Sequence, residues 1–318
     1  MRIAYYIYHS LLHLKKGTLS NYLRQEWSEY LKRRSFRTRQ RRRIYWELQA
    51  GKREVLEVSI QPSLRMKLYL DSDLCRLIHS GSFECKERQF LNAFLRPGDI
   101  FVDVGANIGL FTLIAAQRVG KSGSVYAFEP YTKTYNRLLI NVQLNNFTNV
   151  TCHKLALSDS IKRQSMTISL DGFDAWNSLA KPIKGERLGV EMVETITWDK
   201  FADQHNLVEK VAMMKIDVEG WEKYVLAGAA ETLYRINAPT LQVEFTEEAS
   251  QAASSSCKEL YYTLENFGYK MYTYDARYKT IVHHPFQGNY PYLNLIATKT
   301  PDKVKERLKR GKYPSWIR

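Results

Sequence analysis

The sequence predicts an α/β domain whose mostly parallel sheet is covered by helices on both faces, with a basic, helical arm in front of it. Three observations predict this. Apolar runs of strand length alternate with amphipathic helical stretches from Ile100 to Phe245. The first run opens into a helix through the turn Asp103-Val104-Gly105-Ala106-Asn107-Ile108-Gly109. Positive charge is concentrated ahead of residue 54.

The arm comes first. The chain has 318 residues and a net charge of +14. Residues 1–53 hold 14 Lys and Arg against 3 Asp and Glu, a net of +11, which leaves +3 for the rest. Ile3, Ile7, Leu11 and Leu14 recur at helical spacing, and Trp27, Tyr30 and Leu31 continue the pattern. The run Lys32 to Arg43 then places its Lys and Arg densely enough to gain Coulomb energy at an anionic membrane surface or a polyanion. A solvated helical face is the competing explanation. Met1 to Lys16 is too short to span a bilayer and is interrupted by His9, Ser10 and His13. Cys75, Cys85, Cys152 and Cys257 form no paired spacing, so a reduced, cytoplasmic setting is expected, peripheral to a membrane if the arm binds one. The seven histidines form no ligand set, and no metal site is expected.

Residues 54–96 read as a lead-in. Val55, Leu56, Val58 and Ile60, then Met66, Leu68 and Leu70, suggest two short strands around Gln61-Pro62-Ser63. A helix over 85–95 follows and stops at Arg96-Pro97-Gly98-Asp99. The main domain, 97–299, has strands predicted at 100–104, 124–128, 150–154, 211–216 and 241–245, with helices at 110–118 and 132–145. Residues 190–196 read as an extra strand between the third and fourth. Residues 270–274 and 292–298 lack a crossover helix and suggest an antiparallel closing pair. Residues 300–318 form a basic tail with weak structural signals, and no internal repeat is visible.

The chemistry concentrates at strand ends. A nucleoside cofactor on a parallel sheet lies where strand C-termini and helix N-termini converge. Gly105 and Gly109 would let backbone approach it without Cβ interference, with Ala106 and Asn107 between them. Asn107 stands where a three-glycine dinucleotide fingerprint has glycine, and Asp103 aims a carboxylate at the site. That carboxylate suits the cationic amino-acid end of S-adenosylmethionine and would repel a pyrophosphate. Glu129, 24 residues beyond Gly105, is placed to accept hydrogen bonds from ribose hydroxyls, or is a plain strand-end acid. Asp159 could meet the adenine amino group or simply serve a turn.

Asp103 to Gly109 with Leu110-Phe111-Thr112, then Phe128-Glu129-Pro130, Ala156-Leu157-Ser158-Asp159 and Lys215-Ile216-Asp217-Val218-Glu219-Gly220-Trp221-Glu222, resemble the FkbM family of methyltransferases over roughly residues 68–298. The resemblance implies a Rossmann-like class I methyltransferase fold, S-adenosylmethionine as cofactor, and O-methylation of a hydroxyl, often on a saccharide or related metabolite. It says nothing of the arm.

Asp217 and Glu219 follow a buried strand, so they emerge at the cofactor edge as candidate catalytic acids that could hold a sulfonium or take a substrate proton. Helix N-terminal capping would explain them equally simply. Lys215 could neutralise one of them, Glu244 is a further possible base or substrate ligand, and His153 is a weaker one better explained as a core histidine. Three competing functions stay open: an RNA methyltransferase gripping phosphates through the arm, a non-catalytic interaction protein, and a dinucleotide oxidoreductase. The near-neutral body and the absence of a recognisable nucleic-acid-binding motif speak against specific nucleic-acid binding.

Overall fold

The computed structural model describes residues 35–172, 177–180 and 187–310. The expectations for residues 1–34 and 311–318 lie outside them. Residues 35–49 are helical, and Arg37, Arg39, Arg41, Arg42 and Arg43 are all exposed on that helix. Its one buried side chain is Trp46, which meets the His79 ring at 5.5 Å.

The strands, in chain order, are β1 (Val55–Gln61), β2 (Leu64–Tyr69), β3 (Ile100–Val104), β4 (Ser124–Phe128), β5 (Val150–His153), β6 (Ala156–Leu157), β7 (Lys162–Ser169), β8 (Leu188–Ile196), β9 (Val211–Ile216), β10 (Thr240–Phe245), β11 (Lys270–Asp275), β12 (Thr280–His283) and β13 (Leu293–Thr298). The main sheet has the order β12-β11-β13-β10-β9-β3-β4-β5. Its five strands from β5 to β10 are parallel. β13 runs antiparallel to both β10 and β11, and β12 adds a further antiparallel edge. The expected closing pair at 270–274 and 292–298 is therefore present as β11 and β13. From β3 the chain winds outward through β4 and β5, then returns to build β9 and β10 on the other side. The reversal between β3 and β9 opens a crevice beyond the carboxyl ends of the strands.

Burial on both sides explains why the central strands read as continuous apolar runs: every residue of β10 is buried. One core lies between the sheet and helices Cys85–Phe94, Leu110–Val119, Thr132–Leu144 and Pro301–Arg310, and includes Phe101, Met213, Leu138 and Leu308. The other lies under Trp198–Gln204, Glu222–Ala227 and Cys257–Asn266, and includes Val102, Met214, Val243 and Leu264. Leu56, Leu64 and Met66 of the hairpin belong to the first core, so the lead-in segment packs as part of the domain.

Three features depart from expectation. The strand expected at 190–196 pairs with β6 and β7 in a separate three-stranded sheet instead of joining the main one. A helix at Asp73–Ser80, capped by Ser72 and stopped by Gly81 at φ 77°, lies inside the lead-in. The start of the basic tail is the helix Pro301–Arg310, whose Val304 and Leu308 are buried. Both helices are amphipathic but at 8 and 10 residues fall short of the window over which a helical period is read.

The hairpin is fastened to the turn after β3. The buried Asn141 amide donates to Ile108 O at 2.9 Å and accepts from Lys67 N at 2.7 Å. Arg137 donates to both oxygens of Asp71 (2.6 and 2.8 Å) and lies 3.9 Å from the Tyr69 ring centre. Substituting Asn141→Ala strips the side-chain partner from a carbonyl and an N–H at once, at a cost of roughly 2–4 kcal/mol. It should lower the melting temperature by several degrees, and clearly more than Asn145→Ala, whose amide makes similar bonds to Arg65 at a wetter site. Equal losses in thermal denaturation would refute this ranking.

Candidate active site

Strand alternation sets the site. Val102, Val104, Met214, Ile216, Leu241 and Val243 face the second core, so Asp103, Lys215 and Gln242 face the first. Asp103 is in register with Lys215, and Lys215 with Gln242. The result is a polar row crossing β3, β9 and β10, with exposures of 1%, 3% and 1%. One pleat further on come Asp217 and Glu244, beyond the last β9–β10 pair, Ile216 with Val243.

The row holds one buried cation. Lys215 Nζ is ion-paired with Asp217 Oδ2 and sits 4.5 Å from the Phe111 ring centre. Burial alone would lower the Lys215 pKa, but Asp217, Glu84 and Asp103 outweigh it and raise it. Asp103 accepts from Thr112 Oγ1 at 2.5 Å, while its Oδ1 has no hydrogen-bond partner among the described residues. Burial raises its pKa against the pull of Lys215 and Thr112.

Above these residues lies a cavity of about 470 Å3, a volume ordinary for a small-molecule site. Asp103, Gly105, Ala106, Asn107, Glu129, Asp217 and Glu219 all line it, so seven of the nine residues singled out in the sequence meet here. Glu84, Glu244 and Tyr292 line it too, as do the apolar Phe128, Leu157, Met166 and Trp221.

The two glycines act differently from expectation. A Cβ on Gly105 would lie 1.8 Å from Asp217 O, and one on Gly109 would lie 2.6 Å from Leu138 Cδ1. Both also have positive φ, 81° and 96°. Gly105 is required by the close approach of the Asp217 backbone and Gly109 chiefly by its positive φ, since a Cβ there meets only the end of the Leu138 side chain; Gly105 lines the cavity and Gly109 does not. Asp159 also stands apart: it is exposed, accepts from Ser160 Oγ at 2.8 Å, and does not line the cavity. Its neighbour Ser158 accepts from the cavity residue Trp221 through Nε1 at 3.1 Å.

Glu129 braces the turn. One oxygen accepts from Asn107 N at 2.8 Å, and the other from Tyr131 N at 3.0 Å and Thr134 Oγ1 at 2.8 Å. Asn107 itself adopts φ 48°, a conformation asparagine tolerates better than most residues.

The capping alternative for Asp217 and Glu219 gives way to Glu222. Its carboxylate accepts from Val218 N at 3.0 Å and Gly220 N at 3.3 Å, and burial pushes its pKa up to about 7. Glu219 holds φ 54°, and Ser178 Oγ donates to its carbonyl at 2.8 Å. Gly220 passes so close to the helix Glu247–Ala252 that a Cβ would lie 2.2 Å from Ala249 O. The carboxylates of Asp217 and Glu219 are thereby left to the cavity.

Ligand oxygens of Asp217, Glu219 and Glu244 lie within 4.8 Å of one another. At an effective dielectric of about 20, each like-charged pair at that range costs about 3 kcal/mol or more. Burial and neighbouring carboxylates raise the pKa of Glu219 and of Glu244 well above the carboxylate range. The cluster is stable only with protons or a cation between its members.

Glu84 is carried by no motif or period in the sequence. It precedes helix Cys85–Phe94 at φ 41° and accepts from Tyr292 Oη at 2.8 Å and Asn294 Nδ2 at 3.0 Å. Burial pushes its pKa up to about 7, against the pull of Lys215. His153 behaves as a core residue: its ring stacks on Phe128 at 5.1 Å, burial lowers its pKa, and it does not line the cavity.

A parallel sheet with a switch-point crevice, a glycine turn and acids at successive strand ends defines the class as a Rossmann-like fold with a nucleoside-sized site. Residues 103–271, more than half of the chain, match the methyltransferase FkbM domain, and the chain belongs to that family. It is similar to Methyltransferase 1 of Beauveria bassiana, 29% identical over 150 residues, covering 42% of this chain and 59% of that protein. It is likewise similar to the hexuronic acid methyltransferase AglP of Haloferax volcanii, 29% identical over 139 residues, covering 44% and 53%. The chain thus spans less than two thirds of each of these relatives. Among solved structures it resembles a methyltransferase FkbM from Methylobacillus flagellatus, with 14% identity, TM-score 0.39 and coverage of 70% and 54%. It also resembles M. jannaschii TYW2 in complex with AdoMet, with 16% identity, TM-score 0.39 and coverage of 78% and 85%.

Two predictions follow from this geometry. Gly105→Ala should unfold the turn and abolish ligand binding, whereas Gly81→Ala, in the left-handed helical region with only the end of the Arg42 side chain near its Cβ, should cost only about 1–2 kcal/mol. Comparable melting temperatures for the two would contradict the close approach. Glu84 has a folded-state pKa raised from 4.5 to about 7, so its contribution is fully present below pH 4.5 and lost as pH rises through 7. Glu84→Gln, which keeps the acceptor for Tyr292 and Asn294, should match the parent near pH 5 and melt progressively higher than it up to pH 8. Parallel melting curves across that range would show that Glu84 does not titrate there.

Proposed function

We propose that this chain is an S-adenosylmethionine-dependent methyltransferase acting on a hydroxyl of a saccharide or related metabolite. The observation that carries this is the acid-rich cavity at the switch point, lined by Asp103, Glu129, Asp217, Glu219 and Glu244. Such a wall attracts a sulfonium and an ammonium and repels the phosphates of a dinucleotide.

The residues fit the group. Asp103 offers a buried oxygen without a hydrogen-bond partner on the cavity floor, and Glu129 ends β4 beside the turn. They would hold the amino-acid and ribose ends. The cavity volume suits a nucleoside with space for an acceptor. When bound, S-adenosylmethionine supplies a methyl group on positively charged sulfur. The proton that the acceptor hydroxyl gives up as its oxygen gains the methyl would pass to a carboxylate of the Asp217–Glu219 pair, ionised when positive charge lies beside the cluster. Asp217 is anchored for this by Lys215. Alignment of the reacting atoms supplies several kcal/mol, and a base typically a further ~10²–10⁴-fold. A sugar acceptor is supported by the name of the H. volcanii relative, which places hexuronic acid among substrates of similar proteins.

Calorimetric titration with S-adenosylhomocysteine and with NAD tests the cofactor: the first should bind, and Glu129→Ala should weaken it at least ~10-fold. Binding of NAD alone would end the proposal. With labelled S-adenosylmethionine and a panel of hexuronic acids and neutral sugars, Glu219→Gln should lower kcat by ~10²–10⁴ while leaving S-adenosylhomocysteine affinity within a few-fold. An unchanged rate removes Glu219 from the chemistry, and label in RNA but in no sugar overturns the acceptor class.

A further inference from the structure

We propose that Asp217, Glu219 and Glu244 bind one hard divalent cation, of the Mg2+ or Mn2+ type, and that acceptor oxygens complete its coordination shell. The scattered histidines and cysteines of the sequence predict no metal site, but none is needed for a site built from carboxylates alone.

The geometry is already assembled. Ligand oxygens of the three side chains lie within 4.8 Å of one another. Two oxygens on one cation lie at most about twice the bond length apart, ~4.2 Å for Mg2+ and ~5 Å for a longer-bonded ion, so the three carboxylates need close by only a few tenths of an ångström to share one ion. The donors come from two adjacent strand ends, Asp217 and Glu219 after β9 and Glu244 in β10, so the sheet register sets their spacing. Glu244 is 4% exposed; Oε1 accepts from Thr246 Oγ1 at 3.0 Å, and the buried Oε2 receives no N–H or hydroxyl donor among the described residues, its carboxyl lying against that of Asp217.

A second observation, outside the triad, points to a missing positive or donor group. Asp103 Oδ1 and Glu84 Oε2 are also buried and without a hydrogen-bond partner among the described residues, and both side chains line the same cavity. Buried carboxylate oxygens are ordinarily satisfied, and three on one cavity wall call for an explanation. Lys215 supplies the one ammonium among the lining residues and is committed to Asp217 Oδ2. The methyl donor would bring positive charge to the Asp103 side of the cavity, leaving the triad to a second cation.

The donor set selects the ion. Carboxylate oxygens without imidazole or thiolate suit Mg2+, Mn2+ or Ca2+ over Zn2+ or Cu2+. Three protein ligands leave coordination positions for water and for a pair of acceptor oxygens. A bound divalent ion inverts the local field, so an acidic wall becomes able to hold a diol or a sugar carboxylate. It would also acidify a bound hydroxyl. These two consequences rest on the methyl-transfer reading; the cation site itself does not.

The test uses the full chain, stripped with EDTA and titrated with Mn2+, with free Mn2+ read by electron paramagnetic resonance. One saturable equivalent is expected, with a dissociation constant below about 1 mM and displacement by Mg2+. Glu244→Gln and Glu219→Gln should each weaken uptake at least ~10-fold. Glu259→Gln, an exposed partner of Lys223, should leave it unchanged. S-adenosylhomocysteine titration of the same variants, without metal, reports that the fold and cofactor site survive. Absent uptake, or uptake indifferent to both triad substitutions, overturns the site and leaves Lys215 and protons as the cluster's counter-charge. Loss of S-adenosylhomocysteine binding with Mn2+ uptake intact would instead overturn the methyl-donor reading alone.

Discussion

Lys215 is the pivot of this structure. A lysine in the middle strand of a sheet buried on both faces is expensive to desolvate, by several kcal/mol even after relaxation. It is tolerated because register puts Asp103 beside it on β3, the Phe111 ring beneath it, and Asp217 one pleat beyond on its own strand. Removing any one of these would leave a charge in low dielectric with fewer neighbours of opposite sign. The acids gain in turn, since the ammonium offsets part of the cost of gathering so many carboxylates on one wall. Site and strand register are therefore one problem: a slip of β9 by a single residue would send Lys215 into the apolar core under Trp198 and Leu226.

The rest of the fold holds that arrangement still. Gly105 brings the first turn against the carbonyl of Asp217, which fixes the distance between the β3 and β9 ends. Glu129 ties the same turn to β4 and Tyr131, and Asn141 ties it to the β1–β2 hairpin through Ile108 and Lys67. On the opposite side Ser178 holds the carbonyl of Glu219, so the β6-β8-β7 sheet buttresses the second acidic turn. Each contact is a polar group meeting backbone at a fixed length, which positions side chains more sharply than apolar packing does.

Much of this was legible in the sequence, for identifiable reasons. The central strands declare themselves because burial on two faces demands unbroken apolar runs, and the acids at 103, 129, 217 and 219 stand out because each interrupts or ends such a run. The same contrast exposes Glu244, in Leu241-Gln242-Val243-Glu244-Phe245. Glu84 could not be found this way. It sits just ahead of helix Cys85–Phe94, whose apolar positions mark the helix and not the residue before it, and its partners Tyr292 and Asn294 lie more than 200 positions later. Asp159 misled for the converse reason: its motif lies at the right strand end, but its neighbour Ser158 faces Trp221 and the aspartate turns outward. For Gly105 the sequence shows that a Cβ is missing, and the fold adds that the Asp217 carbonyl would have met it.

Charge is partitioned in this molecule, and the partition has a physical scale. The chain is strongly basic, yet its cavity is lined by acids. The arginines of residues 37–43 ride on a helix whose Trp46 packs against His79, and His79 belongs to the same helix that supplies Leu74 and Leu77 to the cavity wall. Arg42 of that helix reaches to 3.0 Å from the Cβ position of Gly81, next to the cavity-lining Ser82, so the arm borders the cavity wall on its outer side. Inside, where water is scarce and the dielectric low, the carboxylates act on one another and on Lys215 at a few ångströms. Short-range terms therefore decide what occupies the cavity.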